Sequence, residues 1–532
     1  MVTTEQIETE EASSLFRLLD RDHQDKVTIE RLWKRLAENG ILRDDPRLHE
    51  LEGKLEPKTS KQVEDGAIDD LEFKEIICHN ALVKKAIAQE LTIPDFADFC
   101  REIKGLYEET KKNKGGKVAD YIPQLARINP EQYAISICTV DGQRYSLGDA
   151  NKNFCLQSSC KPINYCLALE ELGEKKVHEH VGREPSGQSF NELTLNSRGL
   201  PHNPMINAGA IMSSSLIDRK ADIADRFDLV SKTWSMLCGN RDVHFNNSVY
   251  LSERQTADRN FALAYFMREN NAFPENTDLT ETLEFYFQCC SIESCTSDLS
   301  IAAATLANAG MNPLTGDRIF QSSTIQNCLS LMLSCGMYDF SGEFSFKIGL
   351  PAKSGVSGAL MIVIPNVMGI SIWSPRLDTH GNSVRGVEFC TKLVEKFSFH
   401  HYDSLNELSG KINPRKKQKA AEVSKMVGLI WSASNGDMDE LHRLESEGIS
   451  LDLADYDGRT PLHLAVCENQ VEVIDYLLMH CENLEPKDRW GNTPLKDAEN
   501  AGHKEIAQKL RTAIRSKKSK NGKKTKVAEV AA

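Results

Sequence analysis

The chain contains one Ser-x-x-Lys sequence, Ser158-Ser-Cys-Lys161, whose spacing suits nucleophilic chemistry. Two side chains three residues apart on a helix share one face and lie within hydrogen-bond reach. A serine hydroxyl becomes a good nucleophile only when a nearby base takes its proton, and a lysine can do so only if its pKa is lowered. Burial and a second ammonium group both lower it. The pair therefore suggests a site for acyl transfer.

A second candidate element, Lys353-Ser354-Gly355, opens a predicted strand further along the chain. It resembles the Lys-Thr-Gly element that follows Ser-x-x-Lys in β-lactamases and penicillin-binding proteins. Either motif alone is short enough to arise by chance. Their order, on elements of the expected type, predicts that Ser158 is the nucleophile, Lys161 its base and Lys353 the second ammonium.

The elements that must position these residues come in an informative order. A β-hairpin precedes the Ser158 segment, and Pro162 places Ser158 within a turn of a helix start, because a helix tolerates proline only near its N-terminus. A mostly helical stretch follows, then strands and a closing helix. This is the order of the serine β-lactamase and transpeptidase architecture, an α/β fold. The predicted strands are 133–140, 144–147, 346–350, 353–364 and 369–373, and the closing helix is 383–397.

Composition and charge exclude two classes of protein. The chain has 532 residues, and its 64 Lys and Arg against 77 Asp and Glu give a formal net charge of −13. Because nucleic-acid binding needs a basic face, this acidity argues against a nucleic-acid partner. The most apolar stretch, 358–373, is interrupted by Pro365 and Asn366, so we expect paired strands and no membrane span.

Changes of pattern divide the chain into five segments. Residues 1–112 are charged and have apolar residues at helical spacing, 113–404 have the composition of a globular α/β domain, and 405–423 form a basic linker. Residues 424–514 are helical again. The Lys-rich segment 515–532 is expected to be disordered, because it has too few apolar side chains to pack.

The segment 424–514 contains an internal repeat. Asp457-Gly-Arg-Thr-Pro-Leu-His463 returns as Trp490-Gly-Asn-Thr-Pro-Leu-Lys496, a period of 33 residues. This period with Thr-Pro-Leu-His is typical of ankyrin repeats, in which a turn and two short helices need neighbours to bury their apolar faces. About three units fit, the first of them degenerate. Such an array binds a protein partner or braces its own chain, and the sequence leaves both open.

The segment 1–112 contains two incomplete EF-hand loops. One keeps the early ligands but lacks the glycine at position six and the glutamate at position twelve, and the other keeps those two but loses early ligands. The residues concerned are Asp20, Asp22, Gln24, Asp25 and Arg31 in the first loop and Lys61, Val63, Gly66, Ile68 and Glu72 in the second. We expect an EF-hand-like helical pair without calcium, and no metal elsewhere. The scattered cysteines are expected to be reduced thiols.

Longer segments of the chain carry a family resemblance. Together they resemble the serine-dependent, β-lactamase-like glutaminases, and the whole chain resembles the animal phosphate-activated (kidney-type) glutaminases, which also end in ankyrin repeats. The segments are Lys117-Val-Ala-Asp-Tyr121, Cys138-Thr-Val-Asp-Gly-Gln, Pro201-His-Asn-Pro-Met-Ile-Asn207-Ala-Gly-Ala, Ser252-Glu253-Arg, Asp258-Arg-Asn260-Phe, Cys335-Gly-Met-Tyr338-Asp-Phe-Ser-Gly and Leu350-Pro-Ala-Lys353-Ser-Gly-Val356.

The resemblance implies hydrolysis of the side-chain amide of L-glutamine to L-glutamate and ammonia, without a cofactor. Ser158 would attack the amide carbon with Lys161 as general base, and Tyr338 would help move protons to the leaving ammonia. The backbone N–H groups of Ser158 and Val356 would form the oxyanion hole. The family's substrate contacts fall on Tyr121, Gln157, Ser158, Asn207, Glu253, Asn260, Tyr286, Tyr338 and Val356.

The segment 190–195 resembles the loop through which relatives respond to inorganic phosphate and to assembly. Glu192 stands where relatives carry a lysine, and Thr194 where mammalian relatives carry an aromatic residue. Because an acid repels phosphate, phosphate activation is left open. The resemblance also implies a homo-oligomer (a dimer, a tetramer or filaments) and a mitochondrial location. No presequence is visible in this chain, so we expect an intracellular protein and leave the cytosol open.

Two rival functions remain. One is another serine acyl-transfer hydrolase of the same fold, a β-lactamase or D-Ala peptidase, which would need export and would lack the set formed by Tyr121, Glu253 and Asn260. The other is a catalytically inactive ankyrin scaffold. The presence of Ser158 and Lys161 together argues against the scaffold, because an inactive domain is free to lose either.

Overall fold

The computed structural model describes residues 4–20, 25–60, 66–77, 80–188, 191–405, 410–446 and 449–530. The chain forms two compact units, Met1–Tyr402 and Asp403–Ala532, and each is described by itself. The first unit contains all the candidate site residues.

The first unit begins with a helical region. Two short strands, β1 and β2, pair antiparallel with Val27 opposite Ile68, as the loops of an EF-hand pair do. The ligand positions Asp22, Gln24, Lys61 and Val63 lie outside the described residues, so the absence of calcium stays a prediction. The elements are α1 Thr4–Leu19, β1 Val27–Thr28, α2 Ile29–Glu38, α3 His49–Ser60, β2 Ala67–Ile68, α4 Asp70–Ile77, α5 Ala81–Ala88 and α6 Phe96–Thr110.

A five-stranded antiparallel sheet forms the centre of the first unit, in the order β4-β3-β10-β9-β8. Every residue of β3, β9 and β10 is buried, because helices cover both faces of the sheet. Gly369 of β10 lets one covering helix approach, since a Cβ there would lie 2.1 Å from the backbone N of Ala304. The strands are β3 Ala134–Thr139, β4 Arg144–Gly148, β8 Ala352–Ser354, β9 Ala359–Ile364 and β10 Met368–Trp373.

Helices and a small second sheet complete the first unit. The predicted hairpin is confirmed, with Ala134 opposite Gly148, and so is the closing helix, α17. The helices are α7 Pro123–Ala126, α8 Lys161–Val177, α9 Asn207–Leu216, α10 Ile223–Leu237, α11 Asn247–Gln255, α12 Asp258–Glu269, α13 Leu279–Cys290, α14 Thr296–Ala307, α15 Ser322–Cys335, α16 Ser341–Lys347 and α17 Val384–Lys396. The small sheet, ordered β5-β7-β6, consists of β5 Phe154–Cys155, β6 His244–Phe245 and β7 Ile292–Ser294.

The helical region is joined to the β3–β4 hairpin by polar contacts. Gln143 Nε2 donates to the backbone oxygens of Asn39 and Ile93, both at 3.0 Å, and the Arg144 guanidinium pairs with Asp44 at 2.7 Å. These contacts attach the helical region to the hairpin at its turn. The EF-hand-like region is therefore packed against the sheet rather than tethered to it loosely.

Two predicted strands are wrong in extent. The segment 346–350 contains the end of α16, because Phe344 and Ile348 are buried at helical spacing while Phe346 is 82% exposed. The predicted strand 353–364 is a hairpin of β8 and β9, with Ala352 opposite Ile362. Its turn includes Gly358, whose φ of +90° suits glycine.

The second unit contains three helix pairs, as the repeat predicts. Thr460 and Thr493 begin the helices of the two Thr-Pro-Leu motifs, each with proline at the first turn. The helices are α18 Gln418–Asn435, α19 Met438–Ser446, α20 Pro461–Cys467, α21 Val471–His480, α22 Pro494–Asn500 and α23 Lys504–Val530. The segment 515–530 therefore continues a helix where disorder was expected, and its lysines have high helix propensity.

Three general expectations bear on the described ranges. Every cysteine in them is a free thiol. No helix among these residues is long and apolar enough to cross a membrane. Within the same ranges, no three His, Cys, Asp or Glu side chains gather as metal ligands would.

Candidate active site

Ser158 lies in a 3-10 turn, Gln157–Cys160, that leads directly into α8. The turn follows β5, and Leu156 is held by a hydrogen bond from its N–H to Ile292 O at 2.8 Å. Gln157 has a φ of 49°, in the left-handed region that costs a non-glycine residue energy and often marks functional sites. Ser158 is only 8% exposed. The predicted position, next to the helix start, is confirmed.

Lys161 is the first residue of α8 and is 1% exposed. Burial disfavours its charged form and lowers the pKa of Lys161 to about 8. Its Nζ donates to Asn207 Oδ1 at 2.6 Å, and the hydrogen bonds of the described residues include none between Lys161 and Ser158. Lys161 therefore faces the amide of Asn207, and catalytic bonds commonly tighten only when substrate binds.

Lys353 lies in β8 and is fully buried. Its Nζ donates to Ser354 O at 2.6 Å and lies 4.6 Å from the centre of the Tyr338 ring. Burial, followed by the charge of Lys161, holds the pKa of Lys353 well below its ordinary value. The structure thus brings together the two lysines that the motifs predicted, each opposing the charge of the other.

Tyr338 begins a 3-10 turn, Tyr338–Phe340, between α15 and α16. It is 7% exposed, and its φ of 54° is again left-handed. Burial raises the pKa of Tyr338, and the neighbouring Ser158 side chain opposes that rise. The phenol is therefore neutral at ordinary pH and lies near the candidate nucleophile.

The two N–H groups predicted for an oxyanion hole lie on adjoining segments. Val356 belongs to the turn between β8 and β9, and Gly355 beside it is so close to the Ser158 turn that a Cβ would lie 2.8 Å from Leu156 O. Among the described residues, neither Ser158 N–H nor Val356 N–H donates to a protein acceptor. Both are therefore available to a ligand oxygen, and the oxyanion hole stays a prediction.

One side of the site is acidic. Tyr121 OH donates to Glu253 Oε1 at 2.6 Å, and Gln157 Nε2 donates to the same oxygen at 3.0 Å. Glu253, in α11, is 8% exposed, and burial raises the pKa of its carboxyl while the two hydrogen bonds oppose the rise. A buried carboxylate of this kind suits the ammonium group of a ligand.

The opposite side consists of amides and a phenol. Asn207 begins α9, and its Oδ1 accepts from Lys161 and from Tyr286 OH, the latter at 3.4 Å. Its Nδ2 donates to Asn260 Oδ1 in α12 at 3.3 Å and to Asn191 Oδ1 at 3.1 Å. Six of the predicted substrate residues thus form two hydrogen-bonded groups, one that includes Gln157 next to Ser158 and one that bonds to Lys161 through Asn207.

Asn191 is a contact that motif analysis missed. It lies in the segment 190–195, which the resemblance marked for regulation and not for substrate contact. Asparagine has no reactive group, so only its bond to Asn207 shows that it belongs to the site. Phe190 lies outside the described residues.

Taken together, the geometry suits acyl transfer from a small amide. A buried hydroxyl and a lysine of lowered pKa lie three residues apart, a neutral phenol lies near the hydroxyl, and the N–H groups of Ser158 and Val356 are available to a ligand. Glu253 and the asparagines supply charge and hydrogen bonds for a polar ligand.

Comparison with known families matches all three parts of the chain. A glutaminase family model matches residues 116–402, an EF-hand domain model matches residues 11–94, and a model of ankyrin repeats in three copies matches residues 401–521. These matches confirm the predicted combination of an EF-hand-like region, a glutaminase domain and ankyrin repeats.

Individual relatives agree with the family match. The chain is 42% identical over 489 residues to a Mus musculus protein named glutaminase liver isoform, mitochondrial, covering 92% of this chain and 81% of the relative. It is 44% identical over 514 residues to putative glutaminase 2 of Caenorhabditis elegans, covering 94% and 85%.

Solved structures resemble the catalytic part. A probable glutaminase has a TM-score of 0.54 and 35% identity, over 56% of this chain and 96% of that chain. A crystal structure of a protein named Mglu in its glutamate form has a TM-score of 0.53 and 37% identity, over 56% and 68%.

Proposed function

The chain belongs to the glutaminase family, and from this premise we propose that it hydrolyses the side-chain amide of L-glutamine to L-glutamate and ammonia. The observation that carries the proposal is the buried, hydrogen-bonded surroundings of Ser158: Lys161, of lowered pKa, bonds to Asn207, and Gln157 next to Ser158 bonds to the buried Glu253. Mglu has been solved in a glutamate form, which supports an amino-acid ligand for this fold.

The first half of the reaction forms an acyl-enzyme. Ser158 Oγ attacks the side-chain amide carbon while neutral Lys161 takes the hydroxyl proton. Charge develops on the amide oxygen, and the N–H groups of Ser158 and Val356 stabilise it more in the transition state than in the ground state. The C–N bond then breaks, and the proton that Lys161 took reaches the leaving nitrogen through the Tyr338 phenol. Ammonia departs, and a γ-glutamyl ester of Ser158 remains.

The second half hydrolyses that ester. A water molecule attacks the same carbon, Lys161 takes its proton, and Ser158 leaves with a proton as L-glutamate is released. A lysine of pKa about 8 suits both halves, because it accepts and returns a proton near neutral pH. Burial keeps that pKa low, and the charge of Lys161 in turn disfavours a charge on Lys353.

Recognition of glutamine rests on the two hydrogen-bonded groups. Glu253, held by Tyr121 and Gln157, pairs with the α-ammonium. Asn207, Asn260 and Tyr286 offer donors and acceptors to the α-carboxylate and the amide. A ligand lacking any of these groups would leave buried polar atoms unpaired, which rejects analogues strongly.

The rival functions fit less well. A β-lactamase or D-Ala peptidase has no use for a buried carboxylate that recognises an α-ammonium. An inactive scaffold has no use for the left-handed backbone at Gln157 and Tyr338, which persists only where surrounding structure maintains it. The named relatives are glutaminases.

The decisive experiment measures ammonia release from L-glutamine by the purified chain beside Ser158→Ala. We expect turnover in the wild type and its loss in the variant, with unchanged thermal unfolding. As a control, Ser300→Ala removes another buried hydroxyl that donates to a carbonyl, and it should retain turnover. A folded wild type without turnover would leave the scaffold as the better reading.

Phosphate regulation and assembly are separate proposals. We propose that the chain is a homo-oligomer and that inorganic phosphate activates it weakly, because the exposed Glu192 repels phosphate. A phosphate titration of kcat should give a small increase, and Glu192→Lys should enlarge it. Light scattering with and without phosphate measures the oligomer. A large activation of the wild type contradicts the role of Glu192.

The ankyrin repeats and the location complete the proposal. We propose that the repeats bind a protein partner through the turns before α20 and α22, where Tyr456 is 94% and Trp490 is 58% exposed. Tyr456→Ser with Trp490→Ser should lose that partner and keep glutaminase activity.

We also propose a mitochondrial location, because mammalian relatives are named mitochondrial. Fractionation of cells that express the natural gene product tests it.

A further inference from the structure

Tyr338 has a backbone conformation that tyrosine does not choose by itself. Its φ of 54° lies in the left-handed region, at the first residue of the 3-10 turn between α15 and α16. A non-glycine residue stays there only when its surroundings hold it. The question is which residues supply that restraint, since the conformation directs the phenol towards Ser158.

One hydroxyl bonds to the backbone on both sides of Tyr338. Ser341 Oγ accepts from Met337 N–H at 3.0 Å and donates to Tyr338 O at 2.6 Å. Ser341 is 6% exposed, so water competes little for these bonds. Asn382 Nδ2 adds a longer bond to Met337 O, at 3.3 Å, from the loop that precedes α17.

These bonds are not those of a helix cap. Ser341 is the first residue of α16, and a capping side chain would accept from N–H groups further along the helix. The Ser341 hydroxyl instead bonds to residues that precede it in the chain, Met337 and Tyr338. Its contacts are therefore with the segment that carries Tyr338 and not with the helix it begins.

We propose that Ser341 is a positioning residue, which holds Tyr338 so that its phenol meets Ser158. This inference rests on the proposed glutaminase function. Among the described residues, no hydrogen bond joins Ser341 to the nucleophile or to the recognition groups, so it acts through Tyr338. Loss of its hydroxyl lets the backbone at Tyr338 relax, so that proton delivery to the leaving nitrogen slows while glutamine binding is little changed.

A double-mutant cycle on the full chain tests the proposal with L-glutamine as substrate. Ser341→Ala should lower kcat about 10- to 100-fold with KM within about threefold, a range set by general acid–base catalysis. In the Tyr338→Phe background, Ser341→Ala should lower kcat no further, because residues that act through one group are not additive. An equal loss in both backgrounds, or no loss from Ser341→Ala alone, overturns the proposal.

Two further variants separate positioning from general stability. Ser300→Ala removes a matched bond, since Ser300 Oγ donates to the carbonyl three residues earlier at 2.7 Å and is equally buried. It should lower the melting temperature as Ser341→Ala does and leave kcat unchanged. Ser341→Thr keeps the hydroxyl and should restore most of kcat. Equal kcat losses in Ser300→Ala and Ser341→Ala would assign Ser341 to stability alone.

The outcomes also distinguish this proposal from the proposed function. A folded wild type without glutamine turnover overturns both. Turnover in the wild type with full activity in Ser341→Ala overturns only the positioning role. Should Ser341→Ala fail to fold, Asn382→Ala replaces it in the cycle, with a smaller loss of kcat that must again vanish in the Tyr338→Phe background.

Discussion

Two regions of the catalytic unit meet at Ser158, the turn of residues 157–161 and the segment 353–356 at the end of β8. In the first, Gln157 and Lys161 bond through their side chains to residues on distant helices, Glu253 and Asn207. In the second, Lys353 bonds to a backbone oxygen, and Gly355 N–H bonds to Ala359 O within the hairpin.

This difference separates residues that can change their hydrogen-bond partners during the reaction from residues that keep them. Side-chain partners such as Asn207 can exchange for substrate groups, so the first region can change its bonds during turnover. The backbone bonds of the second region do not exchange, so Lys353 provides an amine in a fixed position and Gly355 a fixed surface. Substitutions in the first region should abolish the reaction. Substitutions in the second region should displace the nucleophile or lower the rate.

The largest effect is expected from Lys161→Met. Removing the general base should lower kcat by about 10²- to 10⁴-fold and abolish the rise of activity with pH. Ammonia release measured from pH 6 to pH 10 checks both. Lys392→Met, which removes a partly exposed lysine paired with Glu109, is the control and should keep the wild-type profile. A variant that retains the pH profile would show that another group is the base.

Gly355→Ala should have the next largest effect. The new Cβ would lie 2.8 Å from Leu156 O and 3.0 Å from Ser159 Oγ, so the two segments must move apart. Displacement of the nucleophile by a fraction of an ångström to 1 Å should lower kcat by up to about 10²-fold. Gly105→Ala, in a helix with nothing within 4 Å, is the matched control and should have wild-type kcat. Equal kcat in both variants contradicts close contact.

Lys353→Met should lower the maximum rate more than it shifts the pH profile. Wild-type kcat/KM should rise with pH through about 8, because Lys161 works in its neutral form. Burial sets the pKa of Lys161, so the ascending limb should stay near pH 8 in the variant. Loss of the amine that lies 4.6 Å from the centre of the Tyr338 ring should lower kcat by about tenfold, a part of what general acid–base catalysis contributes. A pH profile of kcat/KM checks both, and an ascending limb displaced to higher pH would show that Lys353 carries a charge that lowers the pKa of Lys161.

The smallest effect is expected from Ser159→Ala. Ser159 is fully buried, and its hydroxyl has no hydrogen-bond partner among the described residues. Removing an unpartnered hydroxyl should change the free energy of unfolding by less than about 1 kcal/mol and keep kcat within about twofold. Chemical denaturation and ammonia release check both values beside Ser158→Ala. A large loss of activity would give Ser159 a role that its contacts do not indicate.

Several features were predictable because they depend on neighbours along the chain. Pro162 indicated the helix start beside Ser158, and the spacing of Ser158 and Lys161 indicated a pair. The hairpin and the ankyrin period were predicted for the same reason. The strand 346–350 was wrong because Phe344, Phe346 and Ile348 alternate as a strand would, whereas the structure exposes Phe346 and continues α16 to Lys347.

By itself, the sequence determined the candidate nucleophile, the order of the elements and the repeat, since each follows from local spacing. Only the tertiary structure decided what surrounds Ser158. Tyr338 reaches it by a left-handed turn held by Ser341, and Lys161 has its lowered pKa because the folded chain buries it. Burial and long-range contacts arise only when distant segments pack together, and no spacing within one segment specifies them.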